Sequence, residues 1–435
     1  MTENAWQNPL QYLSVCVIMI GNDLREERFE VESIYRLYSS LPQIEQEKNR
    51  AEIDLDALRY NYGYLLGIAR DQNPDVRLIA VVKAEAYGHG APRCVSALLD
   101  EGCDFFAVSS IDEAVAVRKI CDERQKNADI LILGYTSPSL TFQLVRYDII
   151  QTILSEEYAE NLNSSAAAAG ITVRSHIAID TGMNRIGISA QSDEDLSAAV
   201  DTVLAIERLS HLRIEGMFSH FARADEGLSG ENFSNVQSER YRDLCHRLEE
   251  RGVFIPFHHM CNSAATVCRP GDRFDGVRVG ILLYGVCPSA SFDLPLKPVL
   301  KLKTVISHLH EVSPGETVGY GGIYKADSLR TIATVPIGYA DGFLRGYSGC
   351  SVTVETAHGY RSAPIVGNIC MDQCMIDVTD TGARVGDTVT FFGNCMSELA
   401  AYAKRAGSIG YECLCLISSR VPRIYHSEKE NFDET

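Results

Sequence analysis

The sequence predicts an α/β chain: a (β/α)8 barrel of the TIM type followed by a mainly-β domain. Three observations carry this. Eight short, almost continuously apolar runs recur between Glu52 and Gly285, amphipathic stretches separate them, and beyond Gly285 the texture changes to Val, Ile and Thr runs joined by turns. Apolar runs without alternation are what strands buried on both faces show. Eight such units over roughly 230 residues suit a barrel, and a doubly wound open sheet is the alternative that a strand count leaves open.

In order, the runs are Leu78 to Val82, Phe105 to Val108, Ile130 to Leu133, Ile149 to Leu154, Val173 to Ile179, Ile214 to Phe218, Phe257 to Cys261 and Val277 to Leu283. Leu58, Tyr62, Leu65 and Ala69 make a helical stripe ahead of the first run, and Tyr241, Leu244 and Leu248 make another within Ser238 to Arg251. In the β domain, strands are expected at Leu300 to Ile306, Arg330 to Pro336, Ser351 to Thr356, Met375 to Val378 and Asp387 to Phe392, with a helix at Ser397 to Ala406. Pro314-Gly315 and Val385-Gly386-Asp387 supply turn chemistry. The expected division is 1–50 as an extension, 51–288 as the barrel and 289–435 as the β domain. The charge-rich extension carries no motif and reads as a peripheral helix or a poorly ordered segment.

Composition excludes more than it names. Of 435 residues, 40 are Lys or Arg and 58 are Asp or Glu, a formal charge of 40 − 58 = −18. Such a surface argues against a nucleic-acid partner, because polyphosphates need a basic face. The best apolar run, Leu13 to Ile20, is short of the roughly 20 residues a spanning helix needs, and no positive charge precedes it as in a signal peptide. A cytoplasmic protein is expected. Its 14 cysteines include no Cys-x-x-Cys pair, so reduced, mostly buried thiols and no metal site are expected.

Barrels gather their chemistry at the C-terminal ends of the strands. The first run ends in Lys83, followed by Ala84-Glu85-Ala86-Tyr87-Gly88-His89-Gly90. An amine closing an apolar strand loses hydration, which lowers its pKa and makes it a candidate nucleophile toward a carbonyl. Alone, Lys83 reads better as a snorkelling strand-end lysine, and only its context favours the nucleophile. Small residues after the last two strands, Ser263 and Gly280 among them, are where barrels commonly hold a phosphate. Lysine on one side of the mouth and a phosphate cradle on the other together suggest pyridoxal 5'-phosphate.

Five motifs then carry a resemblance. The Lys83 run, Asp180-Thr181-Gly182-Met183, Asn262-Ser263-Ala264-Ala265-Thr266, Gly338-Tyr339-Ala340-Asp341-Gly342 and Cys370-Met371-Asp372-Gln373 stand in the order in which they occur in the bacterial alanine racemase family, which the chain resembles from Glu52 to Tyr425. The resemblance implies a pyridoxal-phosphate racemase that supplies D-alanine for peptidoglycan, working as a head-to-tail homodimer on a small amino-acid substrate. It implies that Lys83 binds the cofactor covalently and is one base, while Tyr339 of the partner subunit is the other. His220 is implied as the hydrogen-bond partner of that tyrosine. Tyr87, Asn262, Ser263, Gly280 and Ile281 are implied on the cofactor's phosphate side, Arg278 at its pyridine nitrogen, and His259 behind Arg278. Arg185 and the backbone of Met371 would take the substrate carboxylate, and Asp372 is the implied access-channel carboxylate.

Three departures bear on this. Ala178 stands where the family often has a carbamylated lysine that buttresses the arginine, so Arg185 is expected to lack its anionic partner. Ser419 is taken as the place of a tyrosine after Ile417-Ser418, which predicts a weakened phosphate contact, a roomier pocket and a serine or broad-specificity racemase as the alternative substrate reading. Glu85 stands where asparagine is common. A barrel-type amino-acid decarboxylase is the rival reaction; it calls for an acidic group at the pyridine nitrogen, where this chain has Arg278. A non-enzymatic cofactor carrier of the same barrel type is a second rival, and such proteins commonly lack a β domain and hence any counterpart of Tyr339.

Overall fold

The computed structural model describes residues 48–289 and 292–428. The reading of the first fifty residues, with the apolar run Leu13 to Ile20, lies almost wholly outside them.

Eight parallel strands form the barrel: Arg77–Val81, Phe105–Val108, Asp129–Ile132, Ile150–Ile153, Val173–Asp180, Leu212–Phe218, His258–His259 and Gly276–Val279. Each pairs with its sequence neighbour, and Gly276–Val279 closes the ring by pairing with Arg77–Val81. All eight expected runs are there. The last is shorter than its apolar stretch, because at Gly280 the chain leaves the strand and Ile281–Tyr284 turns as a 3-10 helix. Hydrophobicity marks burial, and both segments are buried.

The bottom of the barrel is held by charge. Asp129 accepts from Arg77 at 2.8 Å and from Arg174 at 2.7 Å, and Arg174 also reaches Glu215 at 2.8 Å. Burial alone would raise the Asp129 pKa; the two guanidiniums outweigh it and hold the carboxyl below its ordinary value.

Nine strands form the second sheet, in the order His308–Val312, Arg330–Val335, Cys374–Asp377, Gly359–Val366, Ser351–Thr356, Thr388–Phe392, Leu300–Val305, Arg50–Asp54 and Arg423–His426. Its surprise is Arg50–Asp54, which precedes the barrel in sequence yet pairs antiparallel with Leu300–Val305 and parallel with Arg423–His426. Ala51 and Ile53 are buried while Arg50 and Glu52 are not, an alternation that suits a half-solvated sheet rather than a barrel wall. Asp54 ends that strand and caps the helix Leu55–Ala69, accepting from Ala57 N–H at 2.8 Å. The first strand therefore ties the two halves together, and a single apolar core runs through both.

Thirteen cysteines, from Cys94 to Cys415, are free thiols. Among the described residues no helix is long and apolar enough to cross a membrane, and no group of three His, Cys, Asp or Glu is placed to hold a metal.

Candidate active site

Directly after Lys83 the backbone does something L-residues avoid. Ala84, Glu85, Ala86 and Tyr87 all have φ between 52° and 55° and ψ between 41° and 52°, one turn of left-handed helix. Such a turn costs about 1–2 kcal/mol per residue, so its surroundings must impose it. Ala86 N–H donates to Val82 O at 2.9 Å, Gly90 N–H to Glu85 O at 2.8 Å, and Arg423 Nε to Gly88 O at 3.0 Å. The turn swings the Tyr87 ring against Tyr284, centroids 5.0 Å apart, with its hydroxyl toward Gly280. Burial keeps that phenol protonated, hence a donor. Glu85 is absorbed by this geometry: its carboxylate accepts from Ala91 N–H at 3.0 Å.

Lys83 opens into a cavity of ≈ 850 Å³ lined also by Tyr87, Arg185, His220, Asn262, Ser263, Arg278, Gly280, Ile281 and Tyr411. Burial, then the nearby Arg185, lower its pKa; Glu113 and Cys415 act the other way. Across the cavity, two short helical turns, Ser263–Cys268 and Ile281–Tyr284, begin side by side. Asn262 caps the first, accepting from Ala265 N–H at 3.0 Å, and Gly280 N–H donates to Ser263 Oγ at 2.9 Å. A Cβ at Gly280 would lie 2.4 Å from Tyr87 Oη, so only glycine fits. Backbone N–H groups, a serine and a tyrosine hydroxyl thus converge where a phosphate would be cradled.

Arg278 is buried at the floor. Its guanidinium donates to His259 Nδ1 at 2.6 Å, His259 O at 3.0 Å, Ser219 O at 2.7 Å, His220 Nδ1 at 3.0 Å and Met260 O at 3.2 Å. A guanidinium only donates, so both imidazoles must accept at Nδ1 and carry their protons on Nε2. His259 Nε2 then donates to His176 Nδ1 at 3.0 Å. Burial holds all three imidazoles neutral, and lowers Arg278 to about 10, still protonated near neutrality. A Cβ at Gly216 would come within 2.7 Å of the His176 ring, which is why glycine stands beside it.

Tyr339, Met371 and Asp372 lie elsewhere, in a cavity of ≈ 500 Å³ on the β domain. Tyr339 is 42% exposed. Its turn docks on the Cys370 motif: Tyr339 N–H donates to Cys370 O at 3.1 Å and Ala340 N–H to Met371 O at 3.0 Å. Arg420 joins them, pairing with Asp372 at 2.9 Å and Asp341 at 3.5 Å. Within one chain, then, Lys83 and Tyr339 do not share a cavity.

Two outcomes concern the departures. Within one chain Ser419 is exposed and lines neither cavity; its neighbour Arg420 pairs with Asp372 beside Tyr339. A second ring that does line the Lys83 cavity is Tyr411, on the helix Gly410–Cys415; it faces Tyr87 with centroids 6.2 Å apart. Sequence reasoning missed that helix, and the signal was available in Tyr411, Leu414 and Cys415 at helical spacing. Ala178 is buried, and among the described residues Arg185 makes no ion pair. Glu113 and Ser109 at the rim were also missed.

A closed barrel with an amine at the end of its first strand, clustered N–H and hydroxyl groups opposite and a cationic floor, joined to a β domain, defines a two-domain barrel enzyme whose cavity suits an anionic ligand. Family profiles described as the alanine racemase N-terminal and C-terminal domains match residues 53–288 and 299–425. Alanine racemase 1 of Clostridium acetobutylicum is 41% identical over 382 residues, 86% of this chain and 94% of that protein. The structure of the Clostridium difficile alanine racemase superposes with a TM-score of 0.79 at 37% identity, covering 88% of this chain and 96% of that one. A Bacillus anthracis alanine racemase with bound L-Ala-P gives 0.77 at 33% identity, over 88% and 96%. The chain belongs to the alanine racemase family of isomerases.

Proposed function

We propose that the protein interconverts L- and D-alanine with pyridoxal 5'-phosphate, in the cytoplasm, supplying D-alanine for peptidoglycan. The observation that carries this is the Lys83 amine, of lowered pKa, in one cavity with the phosphate-type cradle and Arg278. In this reading residues 51–288 form the cofactor-binding barrel and 289–435 the β domain, except that Arg50–Asp54 pairs within the second sheet.

Tyr87, Ser263, Gly280 N–H and Ile281 N–H would hold the cofactor phosphate, with Asn262 shaping the turn, and Arg278 would face the pyridine nitrogen. When bound there, the cofactor supplies an electron sink that acidifies the substrate Cα–H. Arg278 keeps its own proton and so would not protonate that nitrogen, which would favour proton return over decarboxylation. Arg185, together with the Met371 backbone brought by a second subunit along with Tyr339, would hold the substrate carboxylate, and Asp372 with Arg420 would guard the approach.

Racemisation needs a proton removed from one face of Cα and returned to the other. Lys83 serves one face. Tyr339 of a second subunit serves the other, since its exposure leaves it available to a partner and its own cavity is separate. The neutral His220, with its proton on Nε2, would donate to that tyrosine oxygen and stabilise the phenolate.

Purified protein with pyridoxal 5'-phosphate, followed by chiral chromatography, tests the reading: D-alanine should form from L-alanine and vanish in Lys83→Ala. Mixing Lys83→Ala with Tyr339→Phe chains should restore about a quarter of the activity if sites are shared, because half the dimers are mixed and each has one intact site. No D-alanine from the wild type would refute it.

A further inference from the structure

The turn after Lys83 begins where a strand ladder runs out. The last rung between the first two barrel strands is Val82 N–H to Ala107 O, at 3.0 Å. By the two-residue period of a ladder the next donor is Ala84 N–H, immediately after the lysine. By then the neighbouring strand has already passed into the helix Ile111–Glu123, capped by Ser110.

Glu113, in the first turn of that helix, takes the place of the missing rung. Its Oε1 accepts from Ala84 N–H at 2.8 Å, and its Oε2 accepts from Ser109 N–H at 2.8 Å and from Ser109 Oγ at 2.9 Å. The carboxylate does not fold back on the N–H of its own cap, as a capping-box glutamate does. It spans two βα units instead, and what it holds is the first residue of the left-handed turn.

We propose that Glu113 is a positioning residue for the racemase reaction: by clamping Ala84 N–H it sets where the Lys83 amine stands over the barrel mouth. This rests on the reading of Lys83 as the cofactor-bearing base. Glu113 also acts on Lys83 through space, as an anion opposing Arg185. A carboxylate is needed rather than an amide, because both oxygens accept. Glutamine offers one acceptor and would turn an N–H toward either Ala84 or Ser109.

The test compares wild type, Glu113→Gln and Glu113→Ala after adding pyridoxal 5'-phosphate. Appearance of the visible absorbance of the lysine-bound cofactor, kcat and KM for L-alanine, and thermal unfolding are measured. Misplacement of a reacting group lowers rate rather than binding, so both variants should slow the absorbance and lower kcat by about tenfold or more, with KM changed less than about threefold. Lowered Tm with absorbance and kcat unchanged would mean a helix cap only and overturns the proposal. If Glu113→Ala does not fold, Glu113→Gln, of the same shape, decides. Acylation of the Lys83 amine without cofactor, followed by peptide mass, gives a separate readout, and the same rate in all three proteins also overturns it. A wild type that forms no absorbance would instead sink the cofactor reading, while the acylation rates still judge Glu113.

Discussion

Arg278 Nη2 donates to Nδ1 of His220 across 3.0 Å, and because a guanidinium has nothing to accept with, that one contact dictates the imidazole's tautomer. His220 must carry its proton on Nε2, the side facing the cavity that Lys83 also lines. His259, held the same way at 2.6 Å, passes the same polarity on to His176. A single cation thus sets the proton positions of three rings, two of them buried.

Arg278→Lys should therefore be far from conservative. An ammonium has three donors for five acceptors now served, and it cannot span His220 and His259 together. Loss of about 10²-fold in kcat is expected, in the range found when a preorganised donor is removed. Steady-state kinetics at saturating cofactor measure it.

Gly280→Ala places a methyl 2.4 Å from Tyr87 Oη, so either the tyrosine or the cradle must move. Cofactor affinity should fall by about tenfold or more, as expected when a buried hydrogen-bonded contact of about 1.5–3 kcal/mol is lost. Titration of the apoprotein reads the change, and an unaltered Kd would show that the cradle lies elsewhere.

Tyr411 and Ser419 make opposite predictions. Tyr411→Ala should weaken cofactor binding and open the pocket to larger amino acids, since the ring lines the cavity against Tyr87. Ser419→Tyr, next to Arg420 on the face that carries Tyr339, should instead narrow the range of amino acids accepted. A racemisation panel on both variants checks the pair.

Stability should fall on mild acidification. Burial pushes His89 down to about 4 and His176 down to about 3. An unfolded histidine takes its proton near pH 6.5, so from there downward the unfolded state binds more protons and stability is lost, at up to roughly 1.4 kcal/mol per pH unit for each ring. Asp129, held below its ordinary value, adds to the loss only as pH falls through and below the carboxylate range. Urea unfolding between pH 8 and 5 should show the histidine slope, and His89→Gln should reduce it.

What could be read in advance follows from where the information is local. Strands buried on both faces are apolar from end to end, so all eight barrel runs stood out; the error at Ile281–Tyr284 came from the same rule, because a buried 3-10 turn is equally apolar. In the β domain His308–Val312 and Gly359–Val366 escaped notice because they carry many exposed polar residues. The helix Gly410–Cys415 gave only a six-residue signal, and with it Tyr411 in the Lys83 cavity was missed.

By itself the sequence determined the barrel, the β domain and the chemistry available: Lys83 at a strand end, Arg278 in an apolar strand, the Ser263 and Gly280 turns, and Tyr339 in its motif. Only the tertiary structure decided which of these meet. It folded Arg50–Asp54 into a sheet more than two hundred residues downstream, put Tyr411 at the pocket, and bent Ala84 to Tyr87 into a left-handed turn that no propensity favours. Those outcomes depend on partners distant in sequence, such as Arg423 on Gly88 and Glu113 on Ala84, and pairings of that kind leave no local periodicity to read.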